Sequence, residues 1–238
     1  MKLAIIGYGK MGKEIEKLAR ERHHEVTCII DIDNRHQISG ECLRTAEVAI
    51  EFTSPASAVD NILSCFEAGI SVVSGTTGWL DRYAEVEEAC RKHDVAFLHA
   101  SNFNPGMNIF SWLNRELATR MNSFPHYEVE IDETHHVQKI DAPSGTAIML
   151  ANEIIASLSR KSRWVLDNDP AAGEIRIRAF REGTVPGIHT VRYESDADII
   201  EIRHSAKSRR GLAMGAIMAA EFIRGKTGCF TLKDVLHF

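Results

Sequence analysis

Short apolar runs alternate with longer amphipathic stretches over the first hundred residues. The runs are Lys2–Ile6, Glu25–Ile30, Val48–Phe52, Ile70–Val73 and Val95–Leu98. Between them apolar residues return with the helical period: Met11, Ile15, Leu18 and Ala19; then Val59, Ile62, Leu63 and Phe66; then Leu80, Tyr83, Val86 and Cys90. Ser54-Pro55 offers an N-cap and a first-turn proline to the second of these helices. Regular alternation of strand and helix predicts an open, mostly parallel sheet with helices on both faces.

The rhythm breaks at Ala100–Gly106, read as a hinge. A helix with Ile109, Phe110, Leu113 and Leu117 inside is expected next. Tyr127, Val129 and Ile131 then alternate with Glu128, Glu130 and Asp132, the period of a strand with one wet face. A helix from Gly145 to Leu158 follows, then a polar loop over Lys161–Gly173. Further strands are expected around Ile175–Ala179, Gly187–Tyr193 and Asp198–His204, and a small-residue helix from Leu212 to Ile223. The pattern therefore predicts a Rossmann-type α/β domain from residues 1–105 and 209–238. Residues 106–208 form a second, α+β domain with an antiparallel or mixed sheet. Phe230–Phe238 is expected to pack back on the first domain.

The 238 residues are 44% hydrophobic and 26% charged, ordinary for a globular chain, which removes disordered and fibrous classes. The net charge of −5 supplies no global positive field, so a nucleic-acid partner is not expected. Cys28, Cys42, Cys65, Cys90 and Cys229 form no C-x-x-C pair. They are read as free thiols of a reducing compartment rather than as a zinc site or disulfide framework. The apolar run after Met1 is too short for a signal core or a membrane span, so a cytoplasmic protein without a membrane partner is expected.

Candidate chemistry lies at two places. Gly7-Tyr8-Gly9-Lys10-Met11-Gly12 links the first strand to the first helix, the context of a dinucleotide fingerprint. Gly7 permits the turn, Gly9 the approach of a pyrophosphate, and Gly12 close helix packing. Asp31 ends the second strand, where an acid binds the adenine ribose. Arg35 and His36 could instead hold a 2′-phosphate, so NADH and NADPH both stay open. Ser74-Gly75-Thr76-Thr77-Gly78 ends the fourth strand, where such sheets bind ligands.

The second place is Glu133–Ala147. His135, His136 and Lys139 precede Ser144-Gly145-Thr146, a helix start with Ser144 as N-cap. Cationic side chains and free first-turn amides are both devices for holding an anion. Arg181 and His189 are candidates to face it from later strands. No metal is expected, because adjacent histidines point to opposite strand faces and no third histidine has a suitable local spacing. His135-His136-x-x-Lys139-x-Asp141-Ala142-Pro143-Ser144-Gly145-Thr146 resembles the signature of the 4-hydroxy-tetrahydrodipicolinate reductase (dihydrodipicolinate reductase) family. The glycine loop, Phe52-Thr53, Gly75–Gly78, Ser101-Asn102-Phe103 and Arg181-Glu182-Gly183 match as well, although Glu51 stands where that family has aspartate.

The resemblance implies a two-domain, homotetrameric enzyme of lysine and diaminopimelate biosynthesis. It would use NADH or NADPH to reduce a cyclic dicarboxylate. It makes His135 the acid and Lys139 a second catalytic cation, and it gives substrate carboxylates to His136, Gly145 and Thr146. Cofactor contacts fall to Gly7, Gly9, Lys10, Met11, Gly12, Asp31, Gly75, Thr76, Thr77, Ser101, Asn102 and Phe103. A non-catalytic dinucleotide sensor on the same scaffold is the alternative class, and it would have no need of the His135, Lys139 and Thr146 set.

Overall fold

A computed structural model describes residues 1–238, the side chain of Ser39 excepted. The chain divides into two compact units, Met1–Pro105 with Arg209–Phe238, and Gly106–Ser208.

The first unit opens with β1 (Lys2–Ile6), α1 (Lys10–Glu21) and β2 (Glu25–Ile30). A 3₁₀ segment, Ile32–Ser39, and the short α2 (Glu41–Arg44) follow. Then come β3 (Val48–Glu51), α3 (Pro55–Glu67), β4 (Ser71–Ser74), α4 (Tyr83–Lys92) and β5 (Ala96–His99). Ser54 caps α3 by position but makes no side-chain cap bond.

The second unit contains α5 (Pro105–Arg120), β6 (Glu128–His135), α6 (Gly145–Ser157), β7 (Arg163–Leu166), β8 (Glu174–Arg181), β9 (Ile188–Glu194) and β10 (Ile199–Ser205). The chain then returns to the first unit with α7 (Arg210–Ile223), β11 (Gly228–Phe230) and α8 (Leu232–Leu236).

The first sheet has the order β11-β5-β4-β3-β1-β2, and every pairing in it is parallel. Successive side chains of a strand face opposite ways, so Leu3 and Ile5 enter one core and Ala4 and Ile6 the other. The first core holds Ile15 and Leu18 of α1 with Ile217 and Ala220 of α7. The second holds Val59, Ile62 and Phe66 of α3 with Val86 of α4. Burial on both faces explains why these strands read as unbroken apolar runs. The return of the tail adds β11 as a sixth strand beside β5.

The second sheet, β10-β9-β6-β8-β7, is mixed: β6 pairs parallel with β8 and antiparallel with β9. Its inner face carries Val129, Ile131, Ile175, Ile177, Val191 and Tyr193 against α5 and α6. On β6 and β8 the intervening positions are charged and paired across strands, Arg176 with Glu130 and Arg178 with Asp132.

Three expectations are corrected. Ile109 and Leu113 are exposed, because α5 turns Met107, Phe110, Ser111, Asn114 and Ala118 inward. Ser111 and Asn114 are polar but bond Glu153 of α6, so the buried stripe mixes them with Met107, Phe110 and Ala118. The polar stretch after Lys161 contains β7, held by parallel pairing to β8 despite its weak apolar signal. Cys28 and Cys42 are joined in a disulfide, with Cα atoms 5.3 Å apart, where free thiols were expected. The fold returns α2 onto β2, and spacing along the chain does not reveal that approach.

Candidate active site

In the first unit, ligand-sized space lies at the C-terminal ends of the strands. A cleft of about 480 Å³ is lined by Gly7, Gly9, Asp31, Arg35, Thr53 and Asn61, among others. A second, of about 420 Å³, shares Gly9, Phe52 and Thr53 and extends to Lys10, Met11, Gly75, Thr76 and Thr77. The glycines divide by what surrounds them. A Cβ on Gly7 would lie 2.0 Å from the Phe52 carbonyl oxygen, and one on Gly12 would lie 2.2 Å from that of Gly7. A Cβ on Gly9 would meet nothing within 4 Å. Gly7 and Gly12 therefore serve the fold, whereas Gly9 faces open space at the start of α1. That is where a pyrophosphate can meet free helix amides.

Asp31 caps the 3₁₀ segment in a reciprocal box with Asn34, which leaves Arg35 in the same cleft, 3.7 Å from Asp60. Gly12 and Ser101–Phe103 lie outside the lining of both clefts. Phe103 has its side chain in the core, its ring centroid 5.9 Å from that of Phe52. Its carbonyl oxygen would be 1.6 Å from a Cβ on Gly215 of α7.

Glu51, wholly buried at the end of β3, was not singled out for a role by the residue pattern. It accepts hydrogen bonds from Ser74 Oγ at 2.6 Å, Thr76 Oγ1 at 2.8 Å, Thr53 N at 3.0 Å and the Thr53 hydroxyl. One carboxylate thus ties together the two loops that line the second cleft.

In the second unit, β6 is the central strand and carries its alternation to the end: Val129, Ile131, Glu133 and His135 are all buried. Register places Arg181 of β8 opposite His135 and His189 of β9 opposite Glu133. Both Glu133 oxygens accept from the backbone N–H of Ser144, at 3.0 and 3.1 Å. Arg181 reaches the same carboxylate at 3.4 Å. His135 Nδ1 lies 3.4 Å from it and His189 Nε2 3.8 Å. Ser144 Oγ accepts from Ala147 N as the α6 cap and touches His189 Nε2 at 3.2 Å.

The turn beyond the strand is pinned by Arg181, which donates to the carbonyls of Lys139 and Asp141. Lys139 Nζ bonds both oxygens of Asp141, at 2.8 and 2.7 Å. Asp141 therefore holds the ammonium. His136 is half-buried, and its Nδ1 has no hydrogen-bond partner among the described residues. The N–H groups of Gly145 and Thr146 sit in the first turn of α6, where no intrahelical acceptor exists.

Burial pushes His135 below the ordinary imidazole value. Glu133 pulls it back up, and Lys139 and Arg181 push it down again. Lys139 and Arg181 are the cations that oppose its charged form. Burial drives His189 down to about 3, helped by His135, His204 and Lys139, so its ring is neutral across the physiological range.

Glu133, His135 and His189 are all metal-ligand types and lie together, a cluster that local spacing could not display. Glu133, however, is already engaged by a guanidinium and a backbone N–H. The set is arranged as a charge and proton network more than as a cation cage.

Residues 1–103 match the model for the N-terminus of dihydrodipicolinate reductase, and residues 106–236 the model for its C-terminus. A 4-hydroxy-tetrahydrodipicolinate reductase from Christiangramia forsetii is 49% identical over 237 residues, which are 99% of this chain and 98% of that protein. The chain belongs to the dihydrodipicolinate reductase family.

A namesake from Methanosarcina mazei is 35% identical over 240 residues, covering 98% of this chain and 88% of that protein. A dipicolinate-bound dihydrodipicolinate reductase from Paenisporosarcina sp. TG-14 superposes with a TM-score of 0.76 at 19% identity, over 97% of each chain, which speaks to the fold. Membership makes the chain an NAD(P)H-dependent oxidoreductase of lysine and diaminopimelate biosynthesis.

Proposed function

We propose that the chain reduces 4-hydroxy-tetrahydrodipicolinate, through its dehydrated conjugated imine, to tetrahydrodipicolinate, with His135 as the acid. The observation that carries this reading is the convergence at the end of β6. A titratable imidazole, an ammonium and a helix start with free amides occupy one turn of chain. The N–H groups of Gly145 and Thr146 hold one substrate carboxylate at the positive end of the α6 dipole. His136 and Lys139 supply the remaining donors.

When bound, NADH or NADPH supplies the hydride that adds at ring C4. The open face at Gly9 would hold its pyrophosphate, with Lys10, Met11 and Gly75–Thr77 lining the adjoining cleft, and Asp31, which lines the first cleft, would accept from a ribose hydroxyl. Negative charge then develops on the ring nitrogen and on C5, the ring carbon next to C4. Lys139 stabilises that charge, and His135 gives up a proton to the carbon before being reprotonated from solvent. Substrate carboxylates favour the charged form of His135, against the burial that disfavours it in the free protein.

The test is loss of reduced-nicotinamide absorbance with freshly generated hydroxy-tetrahydrodipicolinate, run with each cofactor. His135→Gln should lower turnover by roughly 10²- to 10⁴-fold and leave binding of reduced cofactor unchanged. Collapse of cofactor binding in that variant would make His135 structural.

We also read the chain as a cytoplasmic homotetramer. Among the described residues no helix is long and apolar enough to cross a membrane. Ile199 and Phe180 leave apolar side chains, 55% and 47% exposed, on the second sheet. Sedimentation equilibrium at one-quarter or all of the tetramer mass decides between monomer and tetramer.

A further inference from the structure

The family reading assigns work to His135 and Lys139 and none to the carboxylate between them and the core. We propose that Glu133 is the positioning residue for His135: it faces Nδ1, so that the imidazole presents Nε2 as its proton-carrying atom. The proposal rests on the assignment of His135 as the acid.

The geometry is specific. Glu133 and His135 are two residues apart on one strand, so both point to the buried side. His135 Nδ1 lies 3.4 Å from Glu133 Oε2 and has no hydrogen-bond partner among the described residues. Nε2 lies instead beside Gly187, where a Cβ would come within 3.1 Å of it. A glycine there leaves the outward nitrogen uncrowded.

The other contacts of Glu133 hold it still: Ser144 N from α6, Arg181 from β8 and His189 from β9. Lys139 and Arg181 oppose a proton on His135, while Glu133 and Asp141 favour it. His189 and the half-buried His204 next to it are both pushed towards the neutral form by burial. Glu133 is thus the one buried carboxylate among the groups that face His135. The same carboxylate anchors the start of α6, so the acid and the carboxylate-binding amides share one support.

The variant Glu133→Gln separates charge from shape, because a glutamine oxygen can still accept from Ser144 N. The acid must be protonated to act, so activity falls as pH rises through its pKa. Removing the Glu133 charge moves that descending limb of kcat/KM down by about one pH unit. At pH above the limb the loss is about tenfold, and it is partly recovered at lower pH. Glu133→Asp, which keeps the charge, returns the limb towards its original position. In a His135→Gln background, Glu133→Gln causes little further loss, because the two act as a unit.

A merely structural Glu133 would lower thermal stability or raise KM while leaving the limb in place, and that result overturns the proposal. So does an equal loss in the presence and absence of His135. If His135→Gln alone retains full turnover, it is the acid assignment that fails, and the two failures are told apart in one set of measurements. Reduced-cofactor titration of each variant confirms that the first unit is intact.

Discussion

Alanine at Gly9 should leave the protein folded and weaken its hold on the cofactor. Gly9 is the N-cap of α1, with φ −76° and extended backbone, so alanine can adopt its conformation. Its Cβ would meet no atom within 4 Å. Two small effects oppose one another in stability. Alanine restricts the unfolded chain, worth about 0.4–1 kcal/mol in its favour. Alanine is also the poorer N-cap, which costs about 0.5–1 kcal/mol. They cancel to within about 1 kcal/mol, or roughly 2–4 °C in Tm for a chain of this size.

Binding has no such compensation. A methyl group in the approach of the pyrophosphate lengthens charge-assisted bonds worth about 1.5–3 kcal/mol each. Losing one weakens binding about 10- to 100-fold. Gly12→Ala is the contrast: its Cβ must move away from the Gly7 oxygen 2.2 Å distant, which is backbone and cannot swing aside. Overpacking of that kind costs about 1–3 kcal/mol or more. Differential scanning fluorimetry with fluorescence titration of NADH and NADPH reads both quantities. A Gly9→Ala protein that binds cofactor normally would refute the placement of the pyrophosphate. One whose Tm falls as far as that of Gly12→Ala would refute the division of roles among the three glycines.

Asp31→Ala should raise KM for NADH more than for NADPH, since it removes a ribose acceptor and also a charge that repels a 2′-phosphate beside Arg35; steady-state kinetics with both cofactors checks this. Glu51→Ala should leave the hydroxyls of Ser74 and Thr76 without their buried acceptor, at about 1–3 kcal/mol each, while Thr53 N keeps Thr76 Oγ1 at 2.8 Å. A drop in Tm together with a raised cofactor KM is expected, and a drop in Tm alone would separate Glu51 from the cleft. Thiol titration in denaturant should find three free cysteines before reduction and five after it, and five at the outset would remove the Cys28–Cys42 bond.

Much of the scaffold was legible because its signals are local. Unbroken apolar runs mark β1–β5, a two-residue period marks β6, and the 3.6-residue period marks the helices of the first domain, without any contact being known. The third strand ends in Glu51, which reads as an apolar run interrupted by a charge. Its meaning depends on hydroxyls brought from β4 and the loop after it, which no window of sequence around Glu51 contains. The helix α5 misled for a similar reason. Its buried stripe is polar at Ser111 and Asn114 because Glu153 of α6 waits opposite. Glu133 did carry a local signal, since the inward alternation of Val129 and Ile131 passes through it. A carboxylate in an apolar position of a strand is itself the signal of a buried polar hub.

By itself, then, the sequence determined the alternating first domain, the glycine loop, the one-faced strand β6 and the helix start that follows it. These depend on side-chain spacing over a few residues. Tertiary structure alone decided that Arg181 and His189 meet Glu133, that Lys139 is held by Asp141 while Arg181 fixes the turn, that Cys28 meets Cys42, and that Phe103 is core. Each of these depends on register between strands or on the return of distant chain. Those are set by the joint burial of many side chains, and no short window of sequence contains them.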